Sequence, residues 1–156
     1  MRSPCPMRRF PRLTTRLFFF CGREGERVDA FSVLLVDDEV EFLETLVKRL
    51  TKRKLQVTGV TSAEEAIRIL GERPVDVVVL DVKMPGMDGL EALRRIKEVR
   101  SDVEVIMLTG HANMEAAIQG MELGAFDYLM KPMDIDELLY KLQDAYKKKT
   151  LRELAK

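Results

Sequence analysis

Several short apolar runs in this 156-residue chain end in side chains suited to phosphate chemistry. Residues 33–36 lead into Asp37, Asp38 and Glu39; residues 77–80 lead into Asp81; residues 105–108 lead into Thr109; and a weaker run, 126–129, is followed closely by Lys131 and Pro132. Near-continuous apolar runs of this length are the mark of strands buried on both faces of a parallel sheet. In an open parallel sheet ligands bind at the carboxyl ends of the strands. Carboxylates, a hydroxyl and an ammonium from four separated segments would therefore meet on one rim. Carboxylates gathered within a few ångströms repel one another, and keeping them ionised beside an apolar core calls for a compensating charge. An oxygen-only donor set with no His or Cys favours Mg²⁺ or Mn²⁺. Such a site suits phosphoryl transfer, in which the protein positions groups and neutralises phosphoryl oxygens, with Asp81 as a carboxylate nucleophile.

The elements that would position these groups follow from periodicity. Residues 56–60 and 126–129 are weaker strand candidates that suit the sheet's edges. Leu43, Leu46, Val47 and Leu50 recur at helical spacing in the first helical stretch, as do Ile135, Leu138, Leu139, Leu142 and Tyr146 in the last. Ser62, Asp88 and Asp134 are each followed three residues later by Glu65, Glu91 and Glu137, the capping-box pattern of a helix start. Five strands alternating with five helices predict an α/β fold with a doubly wound parallel sheet.

Each residue also has a plainer reading. Asp37, Asp38 and Glu39 could cap a helix, yet a cap needs one carboxylate. Thr109 could be an ordinary strand end and Lys131 a solvated lysine; the shared rim argues for function in both. Tyr128 could be core with a satisfied hydroxyl. His111, the sole histidine, reads as exposed in the first turn of the fourth helix and as neither ligand nor base. The nine methionines read as packing and surface, and Lys147, Lys148 and Lys149 as complementing the last helix's dipole. Gly86 and Gly89 fit a tight turn, since no phosphate-cradling glycine motif occurs.

The segments VDDE (36–39), LDVKMPGMDG (80–89), LTGHA (108–112) and GAFDYLMKP (124–132) resemble, in order and spacing, the receiver domains of two-component response regulators over roughly residues 32–148. The resemblance implies a flavodoxin-like (βα)5 fold with strand order 2-1-3-4-5. It makes Asp81 the phosphoacceptor, with Mg²⁺ held by Asp38, Asp81 and the Lys83 backbone carbonyl, and by Asp37 through water. It implies that Thr109 donates to a phosphoryl oxygen, that Lys131 pairs with the phosphoryl group, that Tyr128 is the switching aromatic and that the Lys131–Pro132 peptide is cis. The implied partners are a sensor histidine kinase or histidine phosphotransfer protein, and a downstream protein or second copy that reads the face of the fourth helix, fifth strand and fifth helix. The resemblance points to a signalling module rather than an enzyme, and the few residues after the last helix lead to the expectation of a stand-alone receiver. The alternatives are a phosphorelay intermediate and a receiver fragment of a longer DNA-binding regulator. An aspartyl-phosphate phosphatase also uses a strand-end aspartate, but typically carries a second Asp two residues later, where this chain has Lys83.

The totals set the remaining bounds. Length predicts one domain, placed at 31–150, with 151–156 as the end of the last helix or a short tail. Lys plus Arg equal Asp plus Glu at 26 each, so no bulk field directs the chain to nucleic acid or a membrane surface. Both cysteines, Cys5 and Cys21, precede the domain, which fits a cytoplasmic setting. The apolar run 17–21 falls far short of the roughly 20 residues that span a bilayer, and no small-residue cleavage site follows it. Residues 1–30 hold seven arginines, three acidic residues and three prolines without a face-burying period, and read as a disordered extension. Residues 22–27 can be written in purine-rich codons ahead of Val28, so a start-site artefact is the alternative origin of that extension.

Overall fold

Alternate side chains of five parallel strands divide the interior into two apolar layers, one on each face of the sheet. The computed structural model describes residues 30–110 and 114–155. The elements run β1 (Ser32–Val36), α1 (Val40–Lys52), β2 (Gln56–Val60), α2 (Ala63–Glu72), β3 (Val77–Asp81), α3 (Gly89–Val99), β4 (Glu104–Thr109), α4 (Met114–Glu122), β5 (Asp127–Met130) and α5 (Ile135–Leu154). Strand order is β2-β1-β3-β4-β5, with every neighbouring pair parallel. This is the predicted doubly wound sheet. The expected extension over residues 1–30, apart from Ala30, and the expected place of His111 lie outside the described residues, as does Lys156.

Side chains of a strand point alternately to opposite faces, so Leu34, Val36, Val78, Leu80, Val105 and Met107 meet α2 and α3. Val33, Leu35, Val77, Val79, Ile106 and Leu108 meet α1 and α5 on the other face. The central strands β3 and β4 are buried throughout, whereas the edge strands β2 and β5 are only partly covered. That split is why their sequences read as weaker strands. Phe31 stacks on Tyr146 with centroids 4.4 Å apart, closing the α1–α5 layer at its amino edge.

The helix starts match their capping residues with one change. Ser62 and Asp88 accept from the N–H groups of Glu65 and Glu91, as the capping box requires. Asp134 instead accepts from Asp136, one residue earlier than its pattern predicts. The lysine run on α5 needs a larger correction. The helix continues to Leu154, so these residues are not at its terminus, and Lys149 is buried. Its ammonium reaches Asp76 at 3.3 Å and Asp102 at 3.8 Å, and pairs with Glu153 one turn on. Beside it, Arg152 pairs with the buried Glu104 at 2.6 Å. Lys149 and Arg152 thus tie α5 to the amino edge of the sheet, while Lys147 and Lys148 are exposed.

Gly89 is a point of close approach rather than a turn residue. A Cβ there would lie 2.6 Å from the Asp81 carbonyl oxygen and 2.6 Å from the Val82 Cα. Both obstacles are backbone and cannot rotate away. Gly86, at φ 80°, is the turn glycine of the same loop. Gly89→Ala is expected to cost about 1–3 kcal/mol by forcing α3 away from the end of β3. Urea denaturation checks this, and unchanged stability would contradict the contact.

Candidate functional site

Register brings the chemistry-bearing residues together. Val36 pairs with Leu80, so the next residues, Asp37 and Asp81, leave β1 and β3 side by side. Asp81 is the last residue of β3 and Thr109 the last of β4, each inside its strand rather than beyond it. Thr109 pairs with Met130, and the Lys131 N–H donates to the Thr109 carbonyl at 2.9 Å, which delivers Lys131 to the same edge. The Lys131–Pro132 peptide is cis.

One carboxylate oxygen each from Asp37, Asp38 and Asp81 lies within 4.8 Å of the other two. Asp37 and Asp81 are buried, and Asp38 is more open to solvent. Asp37 accepts the Glu39 N–H at 2.9 Å through one oxygen and the Lys131 ammonium at 2.9 Å through the other. That ammonium also lies 3.3 Å from Glu39 and 3.6 Å from Asp81. Burial lowers the lysine's proton affinity, but its hydrogen bond to Asp37 and the charges of Asp37 and Asp81 outweigh it, leaving the pKa above the ordinary lysine value. Lys131 therefore stays charged.

Asp81 responds in the opposite sense. Burial, then repulsion from Asp37 and Asp38, push its carboxyl up from 3.8 to about 6, against the opposing pull of Lys131 and the Lys83 N–H. Three carboxylates and one lysine leave uncompensated negative charge. The donors are all oxygen, two of the three acids are buried, and the set converges from two strands, so it fits a hard divalent cation.

Thr109 is fully buried, and its hydroxyl donates to the Gly110 carbonyl at 3.1 Å. Tyr128 pairs with Met107 across β4–β5 and packs, half-buried, against the layer containing α2 and α3. The Lys83 side chain is exposed. Two contacts escaped sequence reasoning. Glu39 bonds Lys131 instead of joining the acidic cluster, and the Phe42 ring lies beneath the same ammonium at 4.5 Å. Glu39 was visible as part of the acidic run; Phe42 looked like any apolar helix position.

A five-stranded parallel sheet in this order, with an acidic cluster at its carboxyl edge, defines a flavodoxin-like α/β protein of the receiver type. The chain belongs to the response regulator receiver domain family, whose model matches residues 33–143. It is 41% identical over 103 residues to the DNA-binding transcriptional regulator NtrC of Klebsiella pneumoniae, a match covering 66% of this chain and 22% of that protein. It is 36% identical over 113 residues to the transcriptional regulatory protein GlrR of Escherichia coli (strain K12), covering 72% and 26%. Among solved structures, a response regulator receiver domain protein from Clostridium thermocellum superposes with a TM-score of 0.75 at 36% identity, covering 78% of this chain and 98% of that one. The receiver domain of NtrX from Brucella abortus gives 0.72 at 30%, covering 74% and 98%. The matched region thus spans about a quarter of these curated relatives and nearly all of these solved receiver domains. Among the described residues no helix is long and apolar enough to cross a membrane.

The raised Asp81 pKa carries a stability consequence whose sign is fixed. Between 3.8 and about 6 the folded state binds more protons than the unfolded state, so stability falls as pH rises through that window. Asp81→Asn is therefore expected to stabilise the metal-free protein at neutral pH by on the order of 2–3 kcal/mol. The gain should shrink as pH falls through about 6 and vanish below 3.8. Thermal unfolding of both proteins in chelator across this range is the check. A destabilised variant at neutral pH would contradict the cost of holding this buried charge among like charges.

Proposed function

We propose that Asp81 accepts a phosphoryl group from the phosphohistidine of a sensor kinase or histidine phosphotransfer protein. An Asp81 carboxylate oxygen attacks phosphorus as the phosphorus–nitrogen bond breaks; the bonding pair goes to the imidazole nitrogen, which takes up a proton. The observation that carries this reading is the convergence of Asp37, Asp38 and Asp81 at the strand ends, with Lys131 against Asp37 and Asp81.

Asp38, Asp81 and the Lys83 carbonyl, with Asp37 through water, are the residues that would hold Mg²⁺, as the family resemblance implies. Bound there, the ion supplies positive charge for the phosphoryl oxygens and for the crowded acids. Lys131 contributes a second positive charge from the β5 side, and Thr109 a hydroxyl from β4. Above a pH of about 6 the Asp81 carboxylate is mostly ionised and available as a nucleophile.

Modification at the rim then biases an existing equilibrium of the domain, with Thr109 and Tyr128 relaying it to the face made by α4, β5 and α5. Apolar exposure supports that choice of face. Met114, Ile118 and Met121, at helical spacing on α4, are 42%, 53% and 40% exposed, and Tyr140 on α5 is 68% exposed. A target protein or second copy would cover them.

A second reading concerns what the receiver serves. The curated relatives are about four times longer than the region they share with this chain, and NtrC is named as a DNA-binding transcriptional regulator. This favours a receiver region that controls a DNA-binding regulator over a phosphorelay intermediate.

Incubation with labelled acetyl phosphate tests the acceptor. Wild type is expected to take up label only when Mg²⁺ is present, and Asp81→Asn to take up essentially none. Label retained by Asp81→Asn at the wild-type level would overturn the assignment.

A further inference from the structure

We propose that Phe42 is a positioning residue for Lys131, its ring face holding the ammonium at the rim beside Asp81. The inference rests on the reading of Asp81 as phosphoacceptor. The Lys131 nitrogen lies 4.5 Å from the centroid of the Phe42 ring, within the range of a cation–π contact. Its other neighbours are carboxylates: Asp37 at 2.9 Å, Glu39 at 3.3 Å and Asp81 at 3.6 Å. Among the described residues the ammonium thus has an aromatic partner beside its anionic ones.

The ring itself is anchored. Phe42 lies on α1 one turn before the buried Leu46 and packs, half-buried, against the layer formed by α1 and α5. With Leu46, Met133 and Ile135 it lines a hollow of about 90 Å³ where α1 meets the start of α5. The Lys131 side chain is 20% exposed, so its charge is partly withdrawn from water, a condition under which cation–π attraction gains strength.

A ring suits this place better than an aliphatic side chain of similar bulk. Asp37 and Asp81 are the anions whose charge would be shared or altered when the site is used, so their hold on Lys131 changes with it. The face of a benzene ring neither titrates nor ligates a metal, and its negative quadrupole attracts the ammonium throughout. Leucine would exclude water equally but give the charge nothing in return. The ring is therefore the constant partner of Lys131.

The test uses the full chain labelled with ¹³C at the lysine ε-carbons. In the unphosphorylated, metal-free protein the Lys131 ε-methylene signal, assigned by its loss in Lys131→Arg, is expected upfield of the other lysines because of the Phe42 ring current. Phe42→Leu should return it to the common lysine position, and Phe42→Tyr should keep it displaced. In parallel, acetyl phosphate labelling of Phe42→Leu is expected to slow about five- to tenfold, the size of a partly desolvated cation–π contact. Phe42→Tyr should label close to the wild-type rate. An undisplaced Lys131 signal in wild type overturns the proposal without recourse to any variant. So does a Phe42→Tyr rate as low as that of Phe42→Leu, which would mark a packing role. Wild-type labelling with an unchanged Phe42→Leu rate overturns the role of Phe42 alone, whereas absence of labelling in wild type overturns the acceptor reading together with it.

Discussion

Mutual repulsion among Asp37, Asp38 and Asp81, only partly offset by Lys131, is the constraint around which the carboxyl edge of the sheet is organised. One carboxylate oxygen of each lies within 4.8 Å of the other two, and the lysine is nearer to Asp37 than to Asp81. Asp81 bears the consequence: burial first, and then its acidic neighbours, push its carboxyl up to about 6. A domain that only had to be stable would not keep such a cluster, because charges near an apolar core are costly unless paired. The strand registers, the close approach at Gly89 and the bond between Lys131 and the Thr109 carbonyl all serve to hold it.

The opposite edge of the sheet shows what matched charges look like in the same fold. There the acids face cations supplied by the protein: Asp76 meets Lys149, Glu104 meets Arg152 and Asp102 meets Arg100. The hydrogen bond from Arg100 holds the Asp102 carboxyl below the usual carboxylate range, the reverse of the shift at Asp81. Pairing at the amino edge fastens the last turns of α5, which run on to Leu154. Charge is resolved where the domain is anchored and left unresolved where the family's chemistry is expected.

Much of this was legible in the chain because each signal was local or strictly periodic. Buried central strands need unbroken apolar runs, so β1, β3 and β4 could be read directly, and the strand-end acids followed from their ends. Edge strands were blurred because one side of an edge strand tolerates polar residues: β5 runs Asp127–Met130, one residue later than the apolar run 126–129. What stayed hidden depended on packing between distant segments. Helical spacing puts Lys149, seven residues after Leu142 and three after Tyr146, on the core face that Lys147 and Lys148 leave, but its partners Asp76 and Asp102 are met only once α5 lies across the sheet. Phe42 has helical periodicity and nothing more until the fifth strand brings Lys131 over its ring.

The central claim is that the acidic rim is short of positive charge in a way that a hard divalent cation corrects. The most direct measurement is the thermal unfolding midpoint of the wild-type chain at neutral pH as Mg²⁺ is raised into the millimolar range, beside Asp38→Asn. Ligand binding to the folded state alone stabilises by mass action, so the wild-type midpoint should climb with Mg²⁺ while that of Asp38→Asn responds far less. A wild-type midpoint indifferent to Mg²⁺, or one that climbs equally in Asp38→Asn, would contradict the account.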